Sequence, residues 1–424
     1  MAIKIVFVGL PVMTESTRAA AKRRFQPRLL LARLLLVAGG ILVGLSIAEV
    51  ALRVSGFTYL NPYIVDRDVG FSLRPGAEGW WKQENLTYIK INRNGLRDIE
   101  HAIAKPPDTL RIAVLGDSFA EAFQVPLEKA FWSVMERKLQ ECPKITGSKV
   151  EAINFGISGL STARELILLR KRVWQYSPDV IVLLVTTGND IRDNSRALNA
   201  YPGLPLPYFV SQNGKLILDD SLLEARNRSL TFSLQQNFIG QSFNWIRNHL
   251  RLVGLIDKVR EPRQASAREF DRERKAGSVR SVDEPGLAHE VFLEPVSPEW
   301  DDAWRVTEGL LVQMRDEVRA RGAKFLVVTG SSGIQVSPDT AARQDYMNRL
   351  GIRSLFYPDQ RIKDLGEKEG FRVLNLAPTL EDYASRNKVF LHGAGDAMGN
   401  GHWNEIGHRL AGELVAQEIC KTIL

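Results

Sequence analysis

The chain has 424 residues but only two cysteines, and beyond its first 33 residues it carries almost no net charge. Seven basic residues and one acid precede residue 34. This segment therefore holds +6 of the formal net charge of +7 and leaves +1 for residues 34–424. A nearly neutral body lacks the basic surface by which proteins bind nucleic acid, so no nucleic-acid partner is expected.

The two cysteines are Cys142 and Cys420. In an exported domain they could form a disulfide, whereas a protein kept in the cytoplasm holds its thiols reduced. Cys142 follows a predicted helix and Cys420 lies almost at the C-terminus, and nothing in the sequence brings them together. The sequence leaves their pairing open.

A long apolar run, "LLLVAGGILVGLSIAEVAL" at 34–52, follows the basic tail and has Glu49 as its one charged residue. About 20 such residues in a helix cross the hydrocarbon core of a membrane. The basic flank predicts a cytoplasmic N-terminus and a body in the periplasm or cell exterior. Two other interpretations are open: a signal peptide cleaved near Ser46-Ile47-Ala48, and a buried core helix.

Four segments follow from these patterns: a basic cytoplasmic tail (1–33), a transmembrane anchor (34–53), a β-rich lead-in (54–109) and a large domain (110–424). The lead-in contains "TYIKINRNGLRD", in which an Asn-Gly pair suits a tight turn. It also contains Trp80 and Trp81, which are either packed core aromatics or a stacking platform for carbohydrate.

Strands and helices alternate from residue 110 onward. Apolar runs predict strands over 110–116, 150–156, 179–187, 324–330 and 371–376. Helical periodicity falls over 127–140, 162–176, 300–321, 359–369 and from 404. The run "DVIVLLVTT" is almost entirely apolar, as in a strand buried on both faces. We expect an α/β fold, a doubly wound (flavodoxin-like) parallel sheet of about five strands with helices on both faces.

A large insertion, 191–297, interrupts this alternation after the third strand. It contains the hairpin-like "YFVSQNGKLIL", a predicted helix over 241–258 and the charged stretch "EPRQASAREFDRERKAGSVRSVDEPG". The composition of this last stretch is typical of a solvated surface segment.

The residues that follow four of the strands carry the chemistry. They are Gly116-Asp117-Ser118, "NFGISGLST" at 154–162, Gly188-Asn189-Asp190, and "GNGHWNEIGH" at 399–408. Parallel sheets collect functional groups at the carboxyl ends of their strands. A hydroxyl, a flexible backbone, an amide and an imidazole at one edge are the groups that acyl transfer requires.

These motifs resemble those of the SGNH or GDSL hydrolases: "GDS" at 116–118, "SG" at 158–159, "GND" at 188–190, and "HWN" with "GH" over 402–408. The resemblance covers about 110–190 and 300–424, and its specificity lies in all four motifs occurring in order. The N-terminal apolar run, "INRNGLRD" and "GHWNEIGH" further resemble membrane-tethered, exported members of the family.

The resemblance implies a serine esterase that cleaves O-acyl esters, O-acetyl groups on carbohydrate above all, through an acyl-enzyme and without a cofactor. Two alternatives stay open. One is an O-acyltransferase acting on envelope polysaccharide with the same site. The other is a catalytically silent glycan-binding or assembly protein.

Roles for individual residues follow from the same resemblance. Ser118 would be the nucleophile, which needs a neighbouring base because its hydroxyl is weakly nucleophilic at neutral pH. His402 would be that base. The backbone N–H groups of Ser118 and Gly159 and the side-chain amide of Asn189 would form the oxyanion hole.

A metal site is not expected. His402 and His408 lie six positions apart, about 240° around a helix, whereas a helical zinc pair requires the i,i+4 spacing. We expect His408 to pack within a helix that Asn404 or Glu405 opens.

The sequence departs from the family at the carboxylate that orients the histidine. The family places an aspartate three residues before the histidine, where this chain has Gly399. Relatives with an aspartate two residues before it would find Asn400. The nearest upstream acid is Asp396, which we predict to orient His402. Otherwise a carbonyl, Asn400 or water holds the ring and the site is a Ser-His dyad.

Overall fold

The computed structural model describes residues 27–57, 59–145, 147–199, 203–259 and 287–424. The chain divides into two compact units that meet in sequence at Gly56 and Phe57. The basic tail before residue 27 and the charged stretch over 260–286 lie outside the described residues.

The N-terminal unit contains helix α1, Pro27–Val54. Among the described residues, Leu30–Val54 is one stretch of 25 residues that is long and apolar enough to cross a membrane. A signal sequence near the N-terminus fits the same description. The side chains of this stretch are largely exposed rather than packed in a core, which disfavours the core-helix alternative.

The second unit contains the remaining elements. Its strands are β1 Tyr63–Asp66, β2 Gly70–Leu73, β3 Glu78–Trp81, β4 Thr87–Lys90, β5 Thr109–Leu115, β6 Lys149–Asn154, β7 Val180–Thr186, β8 Tyr208–Gln212, β9 Lys215–Asp219, β10 Lys324–Gly330 and β11 Arg372–Asn375. Its helices are α2 Ser118–Glu121, α3 Phe131–Leu139, α4 Thr162–Lys171, α5 Asp190–Asp193, α6 Ser221–Arg228, α7 Leu230–Gln236, α8 Phe238–His249, α9 over 251–259, α10 Pro298–Ala320, α11 Thr340–Leu350, α12 Tyr357–Glu369, α13 Ala377–Asn387 and α14 Glu405–Glu418.

Five of these strands form the central sheet, in the spatial order β6-β5-β7-β10-β11. All neighbouring pairs are parallel. Numbered along the chain, the order is 2-1-3-4-5, which is the flavodoxin-like order. The predicted five-stranded parallel sheet is therefore confirmed.

The central sheet is buried on both faces. Every residue of β7 is buried, with Ile181, Leu183 and Val185 in one hydrophobic core and Val182 and Leu184 in the other. This alternation follows from the two-residue period of a strand. Helices α4 and α10 cover the first face, and α3, α13 and α14 cover the second.

The lead-in packs onto the same face as α4 and α10, where Leu73, Ile89 and Ile91 join the first core. Its Asn-Gly turn is closed by Asn92, whose side-chain oxygen accepts hydrogen bonds from two backbone N–H groups, those of Asn94 and Leu96. The residues directly after this turn, Arg97 and Asp98, join the lead-in to the sheet.

Arg97 and Asp98 each make a hydrogen bond that joins the lead-in to the sheet domain. Arg97 donates to the carbonyl of Val125 at 2.6 Å. Asp98 accepts from the backbone N–H of Asn154, at the end of β6, at 2.8 Å. The β-rich segment is therefore fixed relative to the carboxyl edge of the sheet.

Some elements differ from the sequence prediction. Helices α11 and α13 were not expected, and the predicted helix over 162–176 ends at Lys171 and continues as a 3-10 turn over Val173–Tyr176. The predicted helix over 241–258 is divided between α8 and α9. The predicted hairpin in the insertion is present as the antiparallel pair β8–β9.

Cys142 and Cys420 form a disulfide, with Cα atoms 5.9 Å apart. Cys142 follows α3, and Cys420 lies in the last helical turn after α14. These two helices pack side by side on one face of the sheet. Tertiary packing thus brings together two thiols that the sequence left unrelated.

Candidate active site

Ser118 is the first residue of α2, directly after the turn that follows β5, at the carboxyl edge of the sheet. Asp117 caps the helix, because its side chain accepts a hydrogen bond from the backbone N–H of Phe119 at 3.0 Å. The strand and the cap together fix the position of the Ser118 backbone.

His402 lies beside Ser118, with its Nε2 atom 2.7 Å from the serine Oγ. Its other ring nitrogen, Nδ1, lies 2.7 Å from Oε1 of Glu84. The backbone N–H of His402 donates to Oε2 of the same carboxylate at 3.1 Å. One carboxylate therefore holds both the ring and the backbone of the histidine.

This arrangement sets the tautomer of the ring. A carboxylate at Nδ1 accepts a hydrogen bond, so Nδ1 carries the proton of the neutral imidazole. Nε2 is then left with a lone pair facing the hydroxyl of Ser118, which is the tautomer that a serine nucleophile requires.

The electrostatics of the pair favour a charged imidazole. Burial lowers the pKa of His402, but the hydrogen bond and charge of Glu84, together with the charges of Asp117 and Glu121, outweigh burial and raise this pKa above its ordinary 6.5. Burial raises the pKa of Glu84, and the contacts with His402 outweigh it and bring this pKa below 4.5. The carboxylate thus stabilises the imidazolium that forms on proton transfer.

Glu84 reaches the histidine from the turn of the β3–β4 hairpin, at a backbone φ of 63°. A non-glycine residue in this left-handed region costs about 1 kcal/mol or more, and such strain concentrates at functional sites. Gly401 packs against its carboxylate: a Cβ atom at Gly401 would lie 3.0 Å from Oε2. Gly401 also has a positive φ, of 78°.

The hairpin is held in place by the segment after α2. The side chains of Asn85 and Thr87 both donate to the carbonyl of Gln124, at 3.0 and 3.2 Å. The ring of Trp81 packs edge-on against Phe123, with centroids 5.1 Å apart. Trp81 is therefore a packing residue, as one of the two sequence interpretations held.

The prediction that Asp396 orients His402 is corrected, because Glu84 occupies the position at Nδ1. The loop before the histidine closes on itself: Gly399 N–H donates to the carbonyl of His392 at 2.9 Å, and Asn400 N–H to that of Ala397 at 3.0 Å. No local signal marks Glu84 in the sequence. Its one clue is the missing acid at 399 and 400, which leaves the position at Nδ1 open to a carboxylate from elsewhere in the chain.

An open crevice of about 200 Å³ lies over the Ser118–His402 pair. Gly159 and Asn189, the expected oxyanion donors, both line it. One N–H of the Asn189 amide donates to Asp117 at 3.0 Å, and the other amide hydrogen remains for a ligand.

Gly159 belongs to a loop that Glu121 holds. The backbone N–H of Ser158 donates to Oε2 of Glu121 at 2.7 Å, and the hydroxyl of Tyr63 donates to Oε1 at 2.7 Å. Burial raises the pKa of Glu121 to about 7. Gly159 itself has a φ of 72°, a conformation that favours glycine.

The loop that carries His402 is supported from behind by three side chains. Trp403 Nε1 donates to Ser331 Oγ at 2.9 Å, and this hydroxyl lies 3.0 Å from Nε2 of His392. The Nδ1 atom of His392 lies 2.7 Å from the carbonyl of Gly401. Burial lowers the pKa of His392 to about 4, so its ring is neutral and donates through Nδ1.

His408 plays no direct part in the crevice. It is buried in α14, where its Nδ1 accepts from the backbone N–H of Phe131 at 3.3 Å. Asn404 caps this helix, accepting from the N–H groups of Ile406 and Gly407. Over the part of the chain that the structure describes, no group of three or more His, Cys, Asp or Glu side chains is placed to hold a metal ion.

A serine, a histidine and a carboxylate joined in line are the arrangement that defines the class of serine hydrolases. With its four motifs on a flavodoxin-like sheet, the chain resembles the SGNH/GDSL hydrolases, which act on ester bonds. No protein-family model matches the chain.

The individual proteins to which this chain is similar include esterases. An arylesterase from Vibrio mimicus is 32% identical over 82 residues, which cover 19% of this chain and 39% of that protein. The chain thus spans about two fifths of the length of this curated relative. The acetyl xylan esterase AlAXEase has a TM-score of 0.36 and 12% identity, covering 73% of this chain and 99% of its own. A catalytic mutant of Axe2, an acetylxylan esterase from Geobacillus stearothermophilus, has a TM-score of 0.34 and 11% identity, covering 73% and 93%.

Proposed function

We propose that this protein is a serine esterase that removes small O-acyl groups, acetyl above all, from carbohydrate outside the cytoplasm. The observation that carries the proposal is the line from Ser118 Oγ through His402 to Glu84, with 2.7 Å at each contact. The acid is a glutamate from the lead-in, so the catalytic unit is a Ser118–His402–Glu84 triad.

The reaction proceeds in two halves. His402 Nε2 takes the proton of Ser118 as Oγ attacks the ester carbonyl, and the tetrahedral oxyanion meets the N–H groups of Ser118 and Gly159 and the amide of Asn189. Collapse of the intermediate breaks the ester bond, and the imidazolium returns the proton to the leaving sugar oxygen. His402 then deprotonates water, which attacks the acyl carbonyl. The acyl–Oγ bond breaks, the imidazolium returns its proton to Oγ of Ser118, and the carboxylic acid leaves.

The size of the crevice favours a small acyl group. Sites for drug-sized ligands typically measure about 300–1,000 Å³, whereas this crevice measures about 200 Å³. Leu287, Ser331 and Ser332 line it beside the nucleophile. An acetyl group fits within such a space, which leaves room beside it for the ester oxygen and the adjoining part of the substrate.

The exposed aromatic side chains of the hairpin that carries Glu84 favour a carbohydrate as the rest of the substrate. Trp80 and Tyr88 face each other across β3–β4 on the solvent side, with ring centroids 5.4 Å apart. Trp80 is 45% exposed. Exposed aromatic faces pack against the apolar faces of sugar rings, and this pair lies a few residues along the same strands from Glu84.

Two alternatives remain for the same site. An O-acyltransferase would use the same groups but resolve the acyl-enzyme with a sugar hydroxyl instead of water. A catalytically silent glycan-binding or assembly protein would keep the fold without turnover, and the contact of Glu84 with His402 supports an enzyme over this alternative.

Purified full-length protein assayed with p-nitrophenyl acetate and p-nitrophenyl octanoate, with and without an oligosaccharide acceptor, separates these functions. We expect hydrolysis of acetate in preference to octanoate, lost in Ser118→Ala. Turnover that depends on the acceptor would favour the transferase, and no turnover of any ester would favour the binding protein. Trp80→Ala should raise KM for an acetylated oligosaccharide only, with Leu86→Ala, another exposed residue of this hairpin, as control.

A further inference from the structure

The insertion contains a stretch without acidic residues. From residue 225 to residue 256 the sequence has four arginines and one histidine but no aspartate or glutamate, although the whole chain has 49 acids in 424 residues. This stretch contains the end of α6, all of α7 and α8, and the first part of α9. This stretch therefore carries a net positive charge, which attracts anions.

The same helices expose large apolar side chains. Phe238 is 83% exposed and Trp245 is 62% exposed. They lie seven residues apart in α8, two turns of helix, and so share one face. Leu230 and Leu234, one turn apart in α7, are also exposed. An aromatic and aliphatic face on a helix with few charges other than arginine is the pattern of helices that lie in a membrane interface.

The position of α9 in the chain adds an independent observation. Arg251 donates to the backbone carbonyl of Phe57 at 2.7 Å, and Lys258 lies 5.5 Å from the centroid of the Phe57 ring. Gly254 packs against Tyr59 so closely that a Cβ atom there would lie 2.8 Å from that of Tyr59. Helix α9, which follows α8 after Leu250, is thus attached to the first residues of the second unit.

Those first residues come directly after the apolar helix. Helix α1 ends at Val54, three residues before Phe57. Three residues of extended chain span at most about 11 Å. If α1 crosses a membrane, the covalent chain keeps the attachment point of α9 close to the membrane surface.

We propose that α7 and α8 form a second membrane contact, in which their apolar face enters the lipid interface and the net positive charge of the stretch favours anionic lipid. Phe238 and Trp245 are the residues that enter deepest. The catalytic unit is then held on the membrane at two places, by α1 and by the insertion. This role is independent of the proposed esterase activity.

A single fluorescent label in the full-length chain tests the contact. Both native cysteines are paired, so Trp245→Cys gives one thiol for an environment-sensitive NBD group. The matched control is Val296→Cys, at a residue with 60% exposure just before α10. The proteins are reconstituted in phosphatidylcholine vesicles containing phosphatidylglycerol, with and without lipids that carry a doxyl quencher near the headgroup.

We expect the doxyl lipids to reduce emission at position 245 about twofold more than at position 296, with a weaker effect when phosphatidylglycerol is omitted. Equal quenching at both positions overturns the proposal. A blue-shifted emission at 245 without quenching by lipid also overturns it, because it shows burial against protein, such as a second copy of the chain. A label at Val43→Cys, inside α1, reports the anchor separately from the insertion.

Discussion

Glu84 holds His402 at two atoms, through Nδ1 of the ring at 2.7 Å and through the backbone N–H at 3.1 Å. The two residues lie 318 positions apart in the chain. The carboxylate comes from a hairpin outside the doubly wound sheet, and the histidine from a loop at its carboxyl edge. The lead-in therefore completes the site as well as joining the apolar N-terminal helix to the sheet.

The first prediction concerns this carboxylate. Glu84→Gln keeps the size of the side chain but removes its charge, so the imidazolium loses its stabilising partner and the ring its preferred tautomer. We expect kcat for p-nitrophenyl acetate to fall about 10²–10⁴-fold with little change in KM. Glu78→Gln, on the exposed face of the same hairpin, should leave kcat unchanged. Wild-type turnover in Glu84→Gln would exclude Glu84 from the triad.

The second prediction concerns pH. His402 must be neutral to accept a proton, and its pKa lies above 6.5 because Glu84 stabilises the charged form. We expect kcat/KM to rise with pH through an apparent pKa above 6.5. In Glu84→Gln this acidic limb should move to lower pH, since the stabilising charge is gone. A limb that stays in place, measured as a full pH profile of both proteins, would contradict the assignment.

The third prediction concerns Gly401. In Gly401→Ala the new Cβ would lie 3.0 Å from Oε2 of Glu84, so the carboxylate must shift away from His402. Gly395→Ala is the matched control, because Gly395 also has a positive φ but a Cβ atom there would have no heavy atom of a neighbouring group within 4 Å. We expect about a tenfold or greater loss of kcat in Gly401→Ala only. Equal losses in both variants would attribute the effect to backbone strain.

The fourth prediction concerns the oxyanion hole. Asn189→Ala removes one donor and should lower kcat about 10²–10³-fold without altering the melting temperature by more than a few degrees. Thr186→Val is the control, because Thr186 donates to the same Asp117 carboxylate as Asn189 but is not an expected oxyanion donor. A similar loss in both variants would mean that Asn189 acts through Asp117 rather than on the substrate.

The sheet could be predicted from sequence because each strand carries its own signal. Val180–Thr186 is apolar throughout apart from its final threonine, and each of the five runs ends in turn residues. Helix α11 has weak apolar periodicity, and α13 is short and buries only the apolar residues Ala377, Leu380 and Ala384, so the sequence predicts neither. Tyr346 of α11 and Leu380 of α13 are buried in different cores, which only the tertiary structure defines.

The residues of the candidate site likewise divide into those that carry a local sequence signal and those that do not. Ser118, Gly159, Asn189 and His402 follow predicted strands or belong to a local motif, and the structure brings them to one crevice. Glu84 has no such signal, because its role depends on hairpin packing through Gln124 and on a tertiary contact with the histidine loop. The Cys142–Cys420 pairing is likewise a product of helix packing.

The most direct test of the proposed mechanism is covalent labelling of Ser118. Intact full-length protein treated with a fluorophosphonate, digested and analysed by mass spectrometry should carry one adduct on Ser118. Labelling should be abolished in Ser118→Ala and much slower in His402→Ala, because the hydroxyl then lacks its base. An unlabelled Ser118 in the folded wild-type protein, or labelling that is equally fast without His402, would contradict the proposed triad.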